Sequence, residues 1–150
     1  MARVPISAFV ITRNEELKIA DCLASLSWVH EIVVVDDFSS DRTADICRQA
    51  GVRLIQHSFT GFRDQKSHAM SLTSHDWVLE LDADERVSEK MRQSIEALTE
   101  DDLARHSSFS FPRITRFWGK WIRHSSLYPD RKERLYHKPS GAWSDKNIHE

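Results

Sequence analysis

The sequence predicts an α/β fold with a mostly parallel central sheet. Four apolar or β-branched segments alternate with segments whose apolar residues recur at helical spacing. Two of the predicted strands, residues 31–36 and 77–82, contain near-continuous apolar runs at residues 32–35 and 77–81, which is typical of strands buried on both faces. Polar residues follow three of the four strands. These observations favour βαβ units, because parallel strands need crossover connections that are usually helical.

The first two elements lie in the first 26 residues. Residues 6–12 are apolar apart from Ser7 and Thr12 and predict the first strand. Apolar residues at helical spacing then predict a helix over residues 17–26. Asn14 precedes this helix, so it is a candidate N-cap, and the acidic residues beside it suit the first helical turn.

The next pair of elements is bounded by a glycine. Residues 31–36 are rich in β-branched side chains and predict the second strand. The following helix begins at Ser40 or Asp41 and ends near Gly51, because glycine commonly follows a helix C-terminus.

The remaining elements of the first hundred residues continue the alternation. Strands are predicted over residues 52–57 and 77–82, and helices over residues 62–72 and 88–98. Ser88 is the expected N-cap of the last helix.

The pattern changes after about residue 100, where the chain is either β-rich or irregular. Residues 1–104 hold 11 Lys/Arg and 19 Asp/Glu, whereas residues 105–150 hold 10 and 4. Aromatic and basic residues interleave over residues 109–124. This segment either grips an anionic acceptor or membrane surface, or forms a core with a solvated basic rim. Its candidate acceptor-binding residues are Arg113, Arg116 and Arg123.

Length and composition favour one soluble domain. The chain has 150 residues, of which 40% are hydrophobic and 29% charged, and a net charge of −2 that indicates no nucleic-acid partner. Cys22 and Cys47 lie far apart in predicted helices, which favours buried thiols in a reducing compartment. No apolar stretch reaches the length of a membrane span. We expect a cytoplasmic protein, with peripheral membrane contact as an option.

A group of carboxylates ends the fourth predicted strand. Asp82, Asp84 and Glu85 follow an apolar run and repel one another unless a cation lies among them. Mg²⁺ is typically held by one or two carboxylates together with substrate phosphates. This segment is therefore either a metal site for a phosphorylated ligand or a solvated acidic turn.

Two further polar clusters follow other strands, at residues 12–15 and at Asp36-Asp37. In parallel sheets, ligands bind outside the carboxyl ends of the strands. The chain has only four glycines and lacks Gly-x-Gly-x-x-Gly, a Walker A loop, Gly-x-Ser-x-Gly and zinc-site spacing. A bound phosphate would therefore be neutralised by a metal and basic side chains.

The order and spacing of four segments resemble family 2 glycosyltransferases of the GT-A fold. The segments are residues 10–16, 32–43, 61–66 and 76–86. Residues near 122–124, 128–131 and 148–150 are similar to the branch that adds glucose to the inner core of lipopolysaccharide, a β-1,4-glucosyltransferase branch. The resemblance implies a three-layer α/β/α sandwich. It also implies a sugar-donor half over residues 1–104 and the start of an acceptor half, incomplete, over residues 105–150.

The resemblance also implies residue roles at the nucleotide-sugar site. Asp82 and Asp84 match the Asp-x-Asp pair, with Asp84 as the direct ligand of Mg²⁺ or Mn²⁺ and Asp82 near the ribose or the metal. Either Asp36 or Asp37 accepts a hydrogen bond from uracil. Lys66 approaches the diphosphate. The residues lining the nucleoside pocket are Thr12, Asn14 and Glu15, whereas Arg13 replaces an aromatic residue often found there.

The implied chemistry is inverting sugar transfer from a UDP-sugar to a saccharide or lipopolysaccharide-core acceptor. The metal neutralises charge on the leaving diphosphate, and a carboxylate base takes the acceptor proton. Glu150 and Asp145 are the candidate bases. Family members usually continue past residue 150, so we expect metal-dependent nucleotide binding with weak or no transfer. The alternatives are a non-catalytic nucleotide-binding or interaction domain and, more distantly, a nucleotidyltransferase.

Overall fold

The computed structural model describes residues 4–113, 115–117, 120–122, 130–141 and 143. The strands are β1 Ile6–Thr12, β2 Glu31–Asp36, β3 Arg53–Gln56, β4 Trp77–Glu80, β5 Ser108–Arg113, β6 Thr115–Phe117, β7 Lys120–Ile122 and β8 Asp130–His137. The helices are α1 Ile19–Ala24, α2 Thr43–Gln49, α3 Phe62–Ser71, α4 Glu89–Glu96 and α5 Glu100–Arg105, and a 3₁₀ turn covers Lys138–Ser140.

Six strands form one mixed sheet in the order β3-β2-β1-β4-β8-β5. The first four pair in parallel, and β8 is antiparallel to both of its neighbours. Strands β6 and β7 form a separate two-stranded pair. In the parallel register, Thr12 lies beside Asp36, so the carboxyl ends of β1 and β2 are level. The predicted α/β fold with a mostly parallel sheet is confirmed.

The sheet is buried on both faces. Ala8 and Val10 pack on one face with α1 and α4 residues, whereas Phe9 packs on the other with α3 residues. The same alternation places Val34 on the first face and Val33 on the second. Because successive strand side chains point to opposite faces, uniformly apolar strands require helices on both sides.

The local sequence signals agree with the end of α2 and the start of α4 but not with the start of α1. Ser88 caps α4 as predicted, because its Oγ accepts a hydrogen bond from Met91 N–H. Gly51 follows α2 with φ of +75°, which confirms its place after the helix. The predicted start of α1 at residue 17 was wrong, because Leu17 is 90% exposed and the helix begins two residues later.

Asn14 does not cap α1. It has a positive φ of 52°, its Oδ1 accepts a hydrogen bond from Ser40 N–H, and its own N–H donates to Ser39 Oγ. Asn14 therefore links the loop after β1 to the loop after β2.

Most of the described residues after residue 100 lie in strands, which resolves the choice left open by their sequence. Strand β8 inserts between β4 and β5, so this segment completes the sheet that the first hundred residues begin. Both cysteines are buried, as predicted. Within the described residues, no helix has the length and apolar character needed to cross a membrane.

Candidate functional site

A cleft of about 370 Å³ lies at the carboxyl ends of β1, β2 and β4. This volume is within the range of roughly 300–1,000 Å³ found for small-molecule sites. The parallel register brings the polar residues that follow these strands to one edge of the sheet. Five predicted site residues line the cleft: Thr12, Glu15, Asp37, Asp82 and Asp84.

Thr12 is a buried polar residue of this cleft. Its side-chain Oγ1 is buried and has no hydrogen-bond partner within the described part of the chain. A buried hydroxyl without a partner costs free energy, so this atom is suited to a hydrogen bond with a bound ligand.

The two adjacent aspartates after β2 differ in exposure. Asp36 is fully buried and accepts hydrogen bonds from Ser39 and from Gln56 Nε2, which hold the loop after β2. Asp37 lines the cleft, with its side chain 18% exposed. Its Oδ1 accepts a hydrogen bond from Phe59 N–H, and its Oδ2 lies 3.6 Å from Arg13 Nη1. Of the pair, Asp37 is the residue that a ligand in the cleft can reach.

Glu15 and Asn14 have different positions relative to the cleft. Glu15 lines it, and the Glu15 N–H donates to Thr43 Oγ1 at the start of α2. Asn14 is not among the lining residues; its side chain accepts the hydrogen bond from Ser40 N–H described above.

The acidic turn, residues 82–85, is held by hydrogen bonds within itself. Glu85 N–H donates to the Asp82 carbonyl oxygen at 2.9 Å, and Asp82 N–H donates to Glu85 Oε1 at 2.9 Å. Ala83 is buried between the two exposed or half-exposed aspartates. The turn therefore presents Asp82 and Asp84 to the cleft while Glu85 holds its backbone.

The acidic turn lies beside the buried thiol of Cys22, and its carboxylates affect the pKa of that thiol. Cys22 Sγ donates to the Asp82 carbonyl oxygen at 3.5 Å. Burial, together with the negative charges of Glu85, Asp82 and Asp84, raises the pKa of Cys22 to about 12. Asp82 and Asp84 themselves line the cleft beside the turn, and two neighbouring carboxylates favour a cation.

The donor set fits a hard divalent cation that also binds a ligand. Asp82 and Asp84 contribute carboxylate oxygens to one cleft. Among the residues that the structure describes, no three His, Cys, Asp or Glu side chains cluster closely enough to hold a metal by themselves. Two carboxylates completed by phosphate oxygens and water are a usual arrangement for Mg²⁺.

Lys66 is buried in a network of charged side chains behind the cleft. Its Nζ lies 3.3 Å from Glu80 Oε2 and 3.8 Å from Asp82 Oδ1. Glu80 also accepts a hydrogen bond from Trp143 Nε1 at 2.8 Å and lies 3.6 Å from Arg134. Lys66 therefore affects the cleft through Asp82.

Several residues near the cleft were missed by the sequence reasoning. Glu80 was visible as a lone acid in an apolar strand, and burial of such a group calls for a cationic partner. Phe59 and Phe62 line the cleft, are 42% and 46% exposed, and contact each other edge-to-face at 5.0 Å. Phe59 in the loop before α3 and Phe62 at the start of that helix gave no comparable signal.

Residues 7–149 match the family model described as "Glycosyl transferase family 2". The chain belongs to the family 2 glycosyltransferases. This membership confirms the resemblance found in the sequence. The chain spans between 31% and 49% of the length of the Rickettsia relatives that it matches, which are named uncharacterized glycosyltransferases.

One relative of this family 2 chain has a named role. The lipopolysaccharide core biosynthesis glycosyltransferase LpsC of Rhizobium meliloti is 36% identical over 101 residues, covering 64% of this chain and 37% of LpsC.

Solved structures of glycosyltransferases share the fold. TarS of S. aureus superposes with a TM-score of 0.68 at 20% identity, covering 95% of this chain and 49% of TarS. Glucosyl-3-phosphoglycerate synthase from Mycobacterium tuberculosis, solved in complex with UDP, has a TM-score of 0.50 at 26% identity. That match covers 56% of this chain and 35% of the synthase.

The predicted acceptor-binding and base residues lie after residue 112, where the structure describes only part of the chain. The backbones of Arg113 and Arg116 belong to β5 and β6. Arg123, Asp145 and Glu150 lie outside the described residues. Their roles stay predictions.

Proposed function

We propose that this chain binds a UDP-sugar with Mg²⁺ or Mn²⁺ as the sugar-donor half of an inverting glycosyltransferase. The observation that carries this proposal is the single cleft that joins the unpartnered Thr12 hydroxyl and Asp37 to Asp82 and Asp84. The end at Thr12 and Asp37 offers groups that can form hydrogen bonds with a nucleoside. The end at Asp82 and Asp84 offers oxygens that can bind a metal.

The spacing of the strands suits a nucleoside diphosphate. β1 lies between β2 and β4. Neighbouring strands are roughly 4.8 Å apart, so groups after β2 and β4 are separated by about 10 Å. We place the uracil ring near Asp37, whose carboxylate has further lone pairs to accept its N–H. Phe59 and Phe62 offer the aromatic surface that Arg13 lacks.

The metal would be held by Asp84, with Asp82 as a second ligand or a ribose contact. When bound, the cation supplies Lewis-acid neutralisation of the charge that develops on the leaving diphosphate. Lys66 holds Asp82 and adds positive charge behind it. Thr12 and Glu15 orient the nucleoside at the end of β1.

The finer substrate assignment rests on relatives. UDP bound to the M. tuberculosis synthase supports a uridine nucleotide, and the role in the name of LpsC supports a lipopolysaccharide-core acceptor. We propose glucose as the transferred sugar from the sequence resemblance. Arg113, Arg116 and Arg123 would contact anionic groups of the acceptor, and Glu150 or Asp145 would take the acceptor proton.

Calorimetric titration with UDP, in Mn²⁺ and in EDTA, tests this proposal. We expect saturable binding that strengthens with Mn²⁺ and that Asp84→Ala weakens by about tenfold or more, because loss of a residue that merely supports a metal ligand already costs roughly 10–100-fold. Asp101→Ala, an exposed acid of α5, is the matched control. Equal UDP affinity of Asp84→Ala and the parent chain in Mn²⁺ would contradict the metal assignment.

A second assay separates catalysis from binding. Release of UDP from UDP-glucose, with and without a lipopolysaccharide-core saccharide, measures hydrolysis and transfer. UDP binding without either reaction would favour the alternative of a non-catalytic nucleotide-binding domain.

A further inference from the structure

Arg134 connects the second part of the chain to the acidic turn. It lies on β8, which pairs with β4 through Leu79 and Leu135. The Arg134 side chain is only 8% exposed, and its Nη2 donates to Glu85 Oε2 at 2.8 Å. Its Nη1 lies 3.6 Å from Glu80 Oε2. A buried guanidinium with carboxylates at two of its nitrogens is fixed in position.

Glu85 connects the fixed side chain of Arg134 to the acidic turn. One carboxylate oxygen binds Arg134, and the other accepts a hydrogen bond from Asp82 N–H. Glu85 N–H in turn donates to the Asp82 carbonyl oxygen. The side chain and the backbone of Glu85 therefore both hold Asp82, although Glu85 itself is not among the residues that line the cleft.

The charges explain why the turn needs such support. Asp82, Asp84 and Glu85 lie within four residues, and Glu80, the last residue of β4, precedes them. Close carboxylates in a partly buried site repel one another strongly. Arg134 contacts two of these four acids and Lys66 contacts two, with Glu80 shared. The two cations leave a negative excess within this group of six side chains, which suits a divalent cation.

We propose that Arg134 is a positioning residue that, through Glu85, holds Asp82 and Asp84 in the geometry that binds a metal–nucleotide complex. This inference rests on the proposed function, which it deepens by naming the residue that supports the metal ligands. Arg134 acts through Glu85, so its removal weakens the Mn²⁺-dependent part of UDP affinity and spares the part measured in EDTA.

The test is a comparison of UDP affinity in Mn²⁺ and in EDTA for Arg134→Met and Arg134→Lys. Loss of a residue that orients a metal ligand typically costs 10–100-fold in metal affinity. We expect a loss of about tenfold or more in the Mn²⁺ titration for Arg134→Met. The affinity in EDTA should not change, and Arg134→Lys should restore part of the loss because it keeps the charge.

Two variants separate positioning from folding. Glu85→Gln keeps an oxygen for Asp82 N–H but removes the charge that pairs with Arg134, so it should lose Mn²⁺-dependent affinity while staying folded. Arg131→Met changes an exposed arginine of the same strand and should match the parent chain in both titrations. Circular dichroism establishes that each variant is folded before titration.

The outcomes distinguish the two proposals. Absence of Mn²⁺-dependent UDP binding by the parent chain would overturn the proposed function together with this inference. Mn²⁺-dependent binding by the parent chain that is unchanged in folded Arg134→Met or Glu85→Gln would overturn the positioning role alone. An equal loss in Mn²⁺ and EDTA would also overturn it, because the effect would then be general to the cleft.

Discussion

Replacement of Glu80 by methionine should destabilise the fold by leaving buried cations without their partner. Glu80 is 4% exposed on β4. It lies 3.3 Å from Lys66 Nζ and 3.6 Å from Arg134 Nη1, and it accepts a hydrogen bond from Trp143 Nε1 at 2.8 Å. Methionine has a similar volume and removes the charge without opening a large cavity.

The expected loss follows from these three contacts. Removal of one partner of a buried ion pair costs about 3–5 kcal/mol. An indole N–H left without an acceptor adds about 1–3 kcal/mol. Two ion pairs that remain in the variant reduce this total loss. Lys66 still lies 3.8 Å from the Asp82 carboxylate, and Arg134 still lies 2.8 Å from the Glu85 carboxylate. We expect a net loss of about 3–4 kcal/mol, a large fraction of the roughly 5–15 kcal/mol of a typical domain.

Urea unfolding followed by circular dichroism measures this loss. The midpoint should fall while the slope of free energy against urea stays the same. The double variant Glu80→Met, Lys66→Met should recover part of the stability, because apolar replacement of a whole buried pair is often neutral, whereas Trp143 Nε1 still lacks its acceptor. Glu133→Met, which changes an exposed residue of β8, is the control. A loss below about 1 kcal/mol, or no recovery in the double variant, would refute the reasoning.

Three further predictions concern the thiols, a carboxylate and the paired aspartates. Burial raises the pKa of Cys22 to about 12 and that of Cys47 to about 11. A thiol reagent at pH 8 should therefore label neither in the native chain and both in urea, and rapid native labelling would contradict this. Burial alone would raise the pKa of Glu31, but hydrogen bonds from neighbouring serines lower it. Its stabilising effect is thus present above its unfolded pKa of 4.5 and lost as pH falls, so Glu31→Gln should flatten the decline of the urea midpoint in acid; an unchanged decline would count against it. Asp37→Asn should weaken UDP binding with little loss of stability, whereas Asp36→Asn should lower the urea midpoint; the reverse pattern would contradict their assignment.

The strands were the part of the fold that local sequence could predict. Residues 6–12 and 31–36 match β1 and β2 to the residue, because apolar and β-branched runs flanked by polar residues mark both ends. The predicted start of α1 was wrong because Leu17 fits the helical period of the apolar residues, yet its side chain is exposed. Periodicity cannot show whether a residue at the end of a helix finds a core to pack against.

Some of the residues that line the cleft could also be predicted from the sequence. Asp37, Asp82 and Asp84 follow strands that were predicted to lie in a parallel sheet, so their meeting at one edge was expected. The contact between Glu85 and Arg134 was not, because it joins residues 49 apart through an antiparallel strand inserted beside β4. Pairings of this kind depend on topology rather than on any local pattern.

The most direct test of the proposed site is the position of Mn²⁺ in crystals grown with UDP, located by anomalous diffraction at the manganese edge. We expect one peak bonded to Asp84 and to phosphate oxygens, with the uracil ring beside Asp37. A manganese ion that contacts neither Asp82 nor Asp84 would contradict the assignment, as would UDP bound outside the cleft.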